Sequence, residues 1–476
     1  MVSFVKQRTA VLLVCLLLVS NMLTFTATRG FYQWRAETPP SSSPGPKNGI
    51  NNSKELENFI SVLEILSERH LEEVTVEELF EAAINGMVGI LDEQTRYMTT
   101  KDWQRMMEQT SGSFSGIGVE IMSVDGFVTV VAPIKGTPGE RAGLQPEDRI
   151  VEVDGQDIRG ISTMEAVGLI RGPEGTQVTL KVLRGEEDSE LSFDIIRGNI
   201  VVASVFSNML DKNIGYIEIS NFDEHAGEDF KVALMELENQ GMAGLILDLR
   251  GNPGGLLTEA VSIGQDLLPA GPITYMVDRD GKKMNTYYSY GAAKPYPIVV
   301  LVNRGSASAS EIIAGALQDT GAGILVGTRT FGKATVQHLE GLGNSGGLSY
   351  TVAKYRTPSG RDIHEVGLEP DIVVELENWI HLHPLTLDMK IGDENRNVTF
   401  LQQVLKLLGY QVPESGIFDE ATEEAVKIFQ RSQGLPATGI VKQDTRKKLQ
   451  EAGEEAQEKN DTQKQKAIEI ILEKIS

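Results

Sequence analysis

Ile298-Val299-Val300-Leu301-Val302-Asn303-Arg304-Gly305-Ser306-Ala307-Ser308-Ala309-Ser310-Glu311 is the stretch on which the fold turns. Its apolar opening predicts a buried strand, and residues 312–319 predict a helix. A second apolar run at 324–326 predicts another strand, followed by Phe331-Gly332-Lys333-Ala334-Thr335-Val336-Gln337. A strand that hands a small-residue loop to a helix start sets a hydroxyl beside free backbone N–H groups. Ser306, Ser308 and Ser310 all compete for that role. Lys333, just past the next strand, is the candidate base of a serine–lysine hydrolytic site.

A serine hydroxyl is a poor nucleophile until a base takes its proton. Histidine is the usual base, and the chain has six: His70, His225, His338, His364, His381 and His383. None sits in a motif with an aspartate, although such triads are defined in space. No Gly-x-Ser-x-Gly elbow surrounds Ser308, which speaks against an α/β-hydrolase. The single cysteine, Cys15, lies in the apolar N-terminal run, which excludes a disulfide framework, a cysteine metal site and a cysteine protease. A lysine can act as base if burial keeps it neutral. Lys333 lies among Phe331, Gly332, Ala334 and Val336 with no adjacent acid, which suits desolvation.

Outward from this stretch, Leu245-Ile246-Leu247-Asp248-Leu249-Arg250 predicts a buried strand. It runs into Gly251-Asn252-Pro253-Gly254-Gly255 and a helix at 256–267. A strand at 215–219 and a helix at 227–237 precede it. Strands alternating with helices predict an α/β core with parallel pairing, in which ligands gather at the carboxyl ends of strands. The whole chain has 476 residues, which implies three or four domains. Its net charge of −23 argues against nucleic acid as a partner.

Residues 112–198 switch to strand periodicity, with Phe114-Ser115-Gly116-Ile117-Gly118-Val119-Glu120, Arg141-Ala142-Gly143-Leu144 and Val153-Asp154-Gly155 as their marks. This pattern resembles a PDZ domain. The resemblance implies that the Gly116-Ile117-Gly118-Val119 loop holds a peptide's terminal carboxylate on its backbone amides. Glycines allow such convergence, and a strand edge can add a peptide as an extra strand. Arg171, at the end of the following helix, is either a sensor linking peptide binding to the core or a cation on the helix dipole. Residues 395–450 carry Leu401-Gln402, Gly416-Ile417-Phe418-Asp419, Phe429-Gln430 and Thr438-Gly439. They resemble a peptidoglycan-binding domain of three helices.

The serine loop, the 331–337 segment, the 248–255 loop and Gly367-Leu368-Glu369-Pro370-Asp371 together are similar to the carboxyl-terminal processing (tail-specific) protease family. The resemblance implies Ser308 as nucleophile, since the family's serine lies 25 residues before its lysine. It makes Lys333 the general base and Gln337 the residue that orients it. Gly254 and Ala309 are then the oxyanion-hole donors, and no metal or organic cofactor is implied. Two rival readings are a non-enzymatic scaffold around a dead core and a crotonase-like acyl-CoA enzyme. The joint presence of Ser308, Lys333 and Gln337 speaks against the first, and the PDZ resemblance and export segment against the second.

The expected architecture is a multidomain α/β chain: N-terminal helices, a PDZ β domain, a crotonase-like α/β protease core and a small C-terminal three-helix domain. Residues 1–30 form a signal or anchor segment, with Lys6 and Arg8 ahead of an apolar run and Arg29 after it. Residues 31–54 are a linker, 55–111 a helical region able to pair two copies, 112–198 the PDZ domain and 199–377 the protease core. A linker at 378–394, the wall-binding-like domain at 395–450 and a charged, exposed helical tail at 451–476 complete the chain. The expected location is extracytoplasmic, with the N-terminal segment holding the chain to the membrane. The expected partners are proteins or peptides with apolar C-termini, peptidoglycan and a second copy of the chain, with no nucleic acid.

Overall fold

A computed structural model describes residues 54–476, apart from 125, 186–187, 344–345, 377–381 and 386. The expected signal or anchor segment and the expected linker up to residue 53 lie outside the described residues, as does His381; Lys54, the linker's last residue, opens a helix. Among the described residues, no helix is long and apolar enough to cross a membrane. The chain divides into two units, 1–87 and 88–476.

The first unit contains the helix Lys54–Arg69 and most of the helix Val76–Val88. Thr75 and Glu78 close the start of the second with reciprocal hydrogen bonds: Glu78 Oε2 accepts the Thr75 amide at 2.8 Å, and Thr75 Oγ1 accepts the Glu78 amide at 3.2 Å. Phe59 and Phe80 bring their rings to 6.1 Å. Phe59, Ile60, Val62 and Ile65 remain exposed.

The first strand of the second unit, Arg96–Met98, falls inside the stretch whose sequence reads as helical. It pairs antiparallel with Gly347–Arg356, placing Arg96 opposite Ser349. Hydrogen bonding to a strand edge overrides local helix propensity here. The helix Thr100–Ser111 follows, capped by Thr99 Oγ1 on the Asp102 amide.

The β domain has strands at Val119–Val124, Phe127–Pro133, Arg149–Val153, Gln177–Arg184 and Ser189–Ile196, in that order across an antiparallel sheet. Val128, Val130, Ile150, Leu180 and Val182 fill its core. Its two ends are tied by Ser113–Gly116 pairing with Gly198–Val201. The helix Thr163–Ile170 starts on a capping box of Ser162 and Glu165.

The α/β core is built on a six-stranded sheet ordered Val205–Leu210, Ile214–Ile219, Gly244–Asp248, Ile298–Val302, Ile324–Gly327, Ile372–Val373. The first pair is antiparallel and the others are parallel. Strands apolar on both faces need cover on both. Leu245, Leu247, Val300 and Val302 point to one face, beneath the helices Ala226–Asn239, Leu257–Leu267 and Ala309–Asp319. Ile246, Val299 and Leu301 point to the other, where Ala467, Ile470 and Ile471 of the helix Thr462–Ile475 cover them. The C-terminal segment is therefore not the exposed tail expected from its charge. Its last helix is a layer of the core. A second, antiparallel sheet includes Gly271–Val277, Lys283–Ser289, Thr335–Gly341 and Gly347–Arg356.

Three helices, Arg396–Leu407, Glu420–Ser432 and Gln443–Lys459, form the small C-terminal domain. Its interior repeats one device twice. Buried Gln402 donates to Ile417 O and Thr422 Oγ1 and accepts from the Gly416 amide. Buried Gln430 does the same to Ile440 O, Thr445 Oγ1 and the Gly439 amide. Each glutamine thus replaces the missing backbone partners of a turn. Asp419 is a helix N-cap, accepting the Thr422 amide at 2.8 Å.

Candidate active site

The serine loop lies at the carboxyl end of Ile298–Val302, where a parallel sheet opens to a ligand. Its three serines separate by their hydrogen bonds. Ser306 donates from Oγ to Leu249 O at 2.7 Å, and Ser310 from Oγ to Asn252 O at 3.0 Å. Both are 0% exposed, so their hydroxyls are committed to holding the 249–252 loop. Ser308 instead lines a cleft of about 670 Å³, with Lys333, Gln337, Gly254, Ala309 and Arg96. It caps the helix Ala309–Asp319 at φ 54°, ψ −113°, a conformation that a non-glycine residue holds only when its surroundings impose it.

Glu311 supplies that constraint. Its side chain is 0% exposed, and Oε2 accepts both the Ser308 amide at 3.0 Å and the Lys333 amide at 2.8 Å. Oε1 accepts the Gly332 amide at 2.8 Å and the Thr330 hydroxyl at 2.5 Å. Burial raises the carboxyl pKa, and these hydrogen bonds oppose the shift. Tyr355, also buried, sets its hydroxyl 3.0 Å from Ser308 O and 2.9 Å from Lys333 O. One carboxylate and one phenol therefore tie the main chain of the serine loop to that of the lysine loop.

Burial lowers the pKa of Lys333, and the positive charge of Arg96 lowers it further, while Glu311 acts in the opposite sense. Desolvation thus comes first, as the apolar neighbours suggest, but an acid is near in space though absent in sequence. Among the described residues, Lys333 Nζ has no hydrogen-bond or ion-pair partner. Gln337 lines the same cleft, but its amide donates to Thr351 Oγ1 at 3.3 Å. The structure does not bring it onto Lys333.

Gly254 packs against the serine with φ 106°; a Cβ there would stand 2.7 Å from Ser308 Cβ and 3.0 Å from Ala309 N. Only glycine permits that approach. Its own amide donates to Asn252 Oδ1 at 2.9 Å, and Asn252 Nδ2 donates to Ile219 O at 2.6 Å. Ala309 opens the helix, where amides lack intrahelical acceptors.

In the β domain, Phe114, Ile117, Gly118, Val119, Val167 and Arg171 line a small groove between the Val119–Val124 strand and the Thr163–Ile170 helix. Gly116 itself pairs with Gly198 in a strand, so the turn proper is Ile117-Gly118. Gly118 has φ 71°, and a Cβ there would lie 2.3 Å from Thr137 Cβ. Arg171 stacks 4.1 Å from the Phe114 ring and pairs with Glu108 at 2.6 Å. The carbonyls that end the Thr163–Ile170 helix are capped by Arg197, through Nε to Ile170 O at 2.8 Å and Nη2 to Leu169 O at 3.2 Å. The helix-dipole alternative for Arg171 is thus served by another residue.

The family model for Peptidase family S41 matches residues 213–374, that for a PDZ domain 129–184 and that for a peptidoglycan binding domain 394–449. Carboxy-terminal processing protease CtpA of Bacillus subtilis (strain 168) is 37% identical over 438 residues, 91% of this chain and 94% of that protein. This chain belongs to the S41 peptidase family. Carboxy-terminal processing protease CtpB of the same organism is 36% identical over 429 residues, 88% of this chain and 89% of that protein. A solved photosystem II D1 C-terminal processing protease is 29% identical, covering 68% of this chain and 94% of that one with a TM-score of 0.40. The chain is a carboxy-terminal processing serine protease that carries a PDZ domain and a peptidoglycan-binding domain.

The structure adds Glu311, Tyr355, Asn252, Arg96 and Arg197 to the residues that the sequence points to. For Glu311 a signal was present: Ser308-Ala309-Ser310-Glu311 has the spacing of a capping box at a helix start. Asn252 acts locally, on the Gly254 amide two residues on, whereas Tyr355, Arg96 and Arg197 act across long sequence separations that no local pattern marks.

Proposed function

We propose that this S41 protease is an exported endopeptidase that works through a Ser308–Lys333 dyad. The observation that carries the reading is the shared hold of Glu311 on the Ser308 and Lys333 amides, with the lysine side chain desolvated in the same cleft. Neutral Lys333 takes the Ser308 proton as Oγ attacks the scissile carbonyl. The amides of Ala309 and Gly254 stabilise the oxyanion. The lysine ammonium then protonates the leaving amine, and an acyl-enzyme remains on Ser308. Water activated by neutral Lys333 releases the acid.

Two contacts support a resting arrangement that substrate completes. The Gly254 amide is engaged by Asn252, and the Gln337 amide by Thr351. Cleavage calls for both to turn toward Ser308 and Lys333. The PDZ groove takes apolar substrate C-termini, with the Ile117-Gly118 turn and its Gly116 and Val119 flanks holding the carboxylate. Arg171 reports that capture through Glu108, whose helix also places Met106, Gln109 and Thr110 on the catalytic cleft. The N-terminal segment holds the enzyme at the outer face of the membrane, the helical region at 55–111 pairs two copies, and residues 395–450 bind peptidoglycan.

The test is hydrolysis of an unfolded protein with an apolar C-terminus. Ser308→Ala and Lys333→Ala should each abolish it, and blocking the C-terminus as an amide should slow it. Full activity in Lys333→Ala would sink the dyad.

A further inference from the structure

The helix Thr462–Ile475 meets the core at its edge through a buried charged knot. Asp461, its N-cap, accepts the Lys464 amide at 2.9 Å. The same carboxylate takes Arg250 Nη1 on Oδ1 at 2.9 Å and Nη2 on Oδ2 at 2.8 Å. Gln463 Oε1 accepts Arg250 Nη1 at 3.2 Å, and its Nε2 donates to Val374 O at 2.7 Å. The other edge of the guanidinium reaches back to Asp248, with Nε at 2.9 Å and Nη2 at 2.6 Å. The Arg250 side chain is 10% exposed and that of Asp461 4%.

Arg250 begins the turn whose far end is Gly254. Beyond Arg250 the turn is held from the core side, where Ser306 Oγ donates to Leu249 O and Asn252 Nδ2 to Ile219 O. The Gly251 amide donates to Asn303 Oδ1 at 2.9 Å, Asn252 O accepts from the Ala307 amide and Ser310 Oγ, and Gly254 O accepts from the Phe222 amide. The knot fixes where the turn leaves the Gly244–Asp248 strand, and hence where Gly254 meets Ser308. A bidentate arginine–carboxylate pair sets angle as well as distance. Out of water it has no cheap substitute, because removing one partner leaves a buried charge that must reorganise.

We infer that Asp461 and Gln463 are positioning residues for peptide cleavage: acting through Arg250, they hold the Gly254 turn against Ser308, while the rest of the helix Thr462–Ile475 only covers the sheet. The inference rests on the roles proposed above for Ser308 and Gly254. It also gives the small C-terminal domain a fixed link to the active site, since only Asn460 and Asp461 separate its last helix, Gln443–Lys459, from the docked helix.

Steady-state cleavage of a peptide substrate, measured below the melting temperature, tests it. Asp461→Asn keeps the cap oxygen but removes the charge. It should lower kcat by roughly 10- to 100-fold, the scale of a slightly misplaced catalytic group, with KM within about twofold. Ile470→Ala weakens the same docked helix without touching Arg250, and should lower Tm while leaving kcat unchanged. Wild-type kcat in Asp461→Asn would overturn the inference. So would equal loss of kcat in both variants at equal loss of Tm, because the helix would then matter only to stability. If Asp461→Asn does not accumulate folded, Gln463→Ala decides in the same assay: a fall of about 5-fold in kcat supports the inference and none overturns it. Ser308→Ala runs alongside. Activity retained there removes the underlying reading; activity lost there with Asp461→Asn unaffected removes only this inference.

Discussion

Glu311 accepts the Ser308 amide at 3.0 Å on the oxygen that also accepts the Lys333 amide at 2.8 Å. A carboxylate accepts hydrogen bonds on both oxygens, whereas an amide accepts on one and donates from the other end. Glu311→Gln therefore turns one accepting end into a donor facing backbone amides. Its expected effect is a loss of kcat of about 100-fold or more, on the scale of displacing a catalytic group by about 1 Å. Steady-state kinetics on the folded variant check this, and near-normal kcat would show that the shared carboxylate does not set the dyad's geometry.

The pH profile follows from the direction of the Lys333 shift. Burial and the Arg96 charge lower its pKa, and the base acts in the neutral form. The kcat/KM curve should rise with pH along a limb that reports Lys333, placed below the ordinary lysine value. Arg96→Gln removes one cause of the lowering, so the limb should move to higher pH. A limb that stays in place, or moves to lower pH, would contradict the assignment of Lys333 as base.

Gly254→Ala tests the close approach of the two loops. The added Cβ would stand 2.7 Å from Ser308 Cβ, and the residue would have to hold φ 106°. The loop must withdraw, and the expected result is a loss of activity of about 100-fold or more, comparable to losing an oxyanion donor. Circular dichroism should still report a folded chain. Activity close to wild type would place the oxyanion donors elsewhere.

Much of this arrangement can be read from the chain alone. Apolar runs such as Ile298–Val302 mark the central strands, because burial on both faces leaves no room for polar alternation. The serine turn and the Gly254 turn are legible through their small residues. The same runs held a further message that charge obscured. Ile246, Val299 and Leu301 require cover on their second face, and Ala467, Ile470 and Ile471 provide it from a segment whose lysines and glutamates suggest an exposed tail. Gln337 shows a different limit. The family resemblance makes it the partner of Lys333, yet its amide reaches Thr351, because the pairing of Thr335–Gly341 with Gly347–Arg356 sets Gln337 opposite Thr351. Cross-strand pairing of this kind is written in tertiary register and not in local sequence.

The small C-terminal domain offers a stability test apart from catalysis. Gln430→Ala leaves the Gly439 amide and Ile440 O without their buried partner. Each unsatisfied group costs about 1–3 kcal/mol, so denaturant unfolding of this region should shift measurably to lower denaturant. An unchanged midpoint would mean that water replaces the glutamine at no cost.

The role of Ser308 is most directly tested by covalent labelling with a serine-directed organophosphonate, followed by peptide mapping in a mass spectrometer. The expected result is a single adduct on Ser308, absent in Ser308→Ala and formed far more slowly in Lys333→Ala. An adduct on Ser306 or Ser310, or labelling at an undiminished rate without Lys333, would contradict the Ser308–Lys333 dyad.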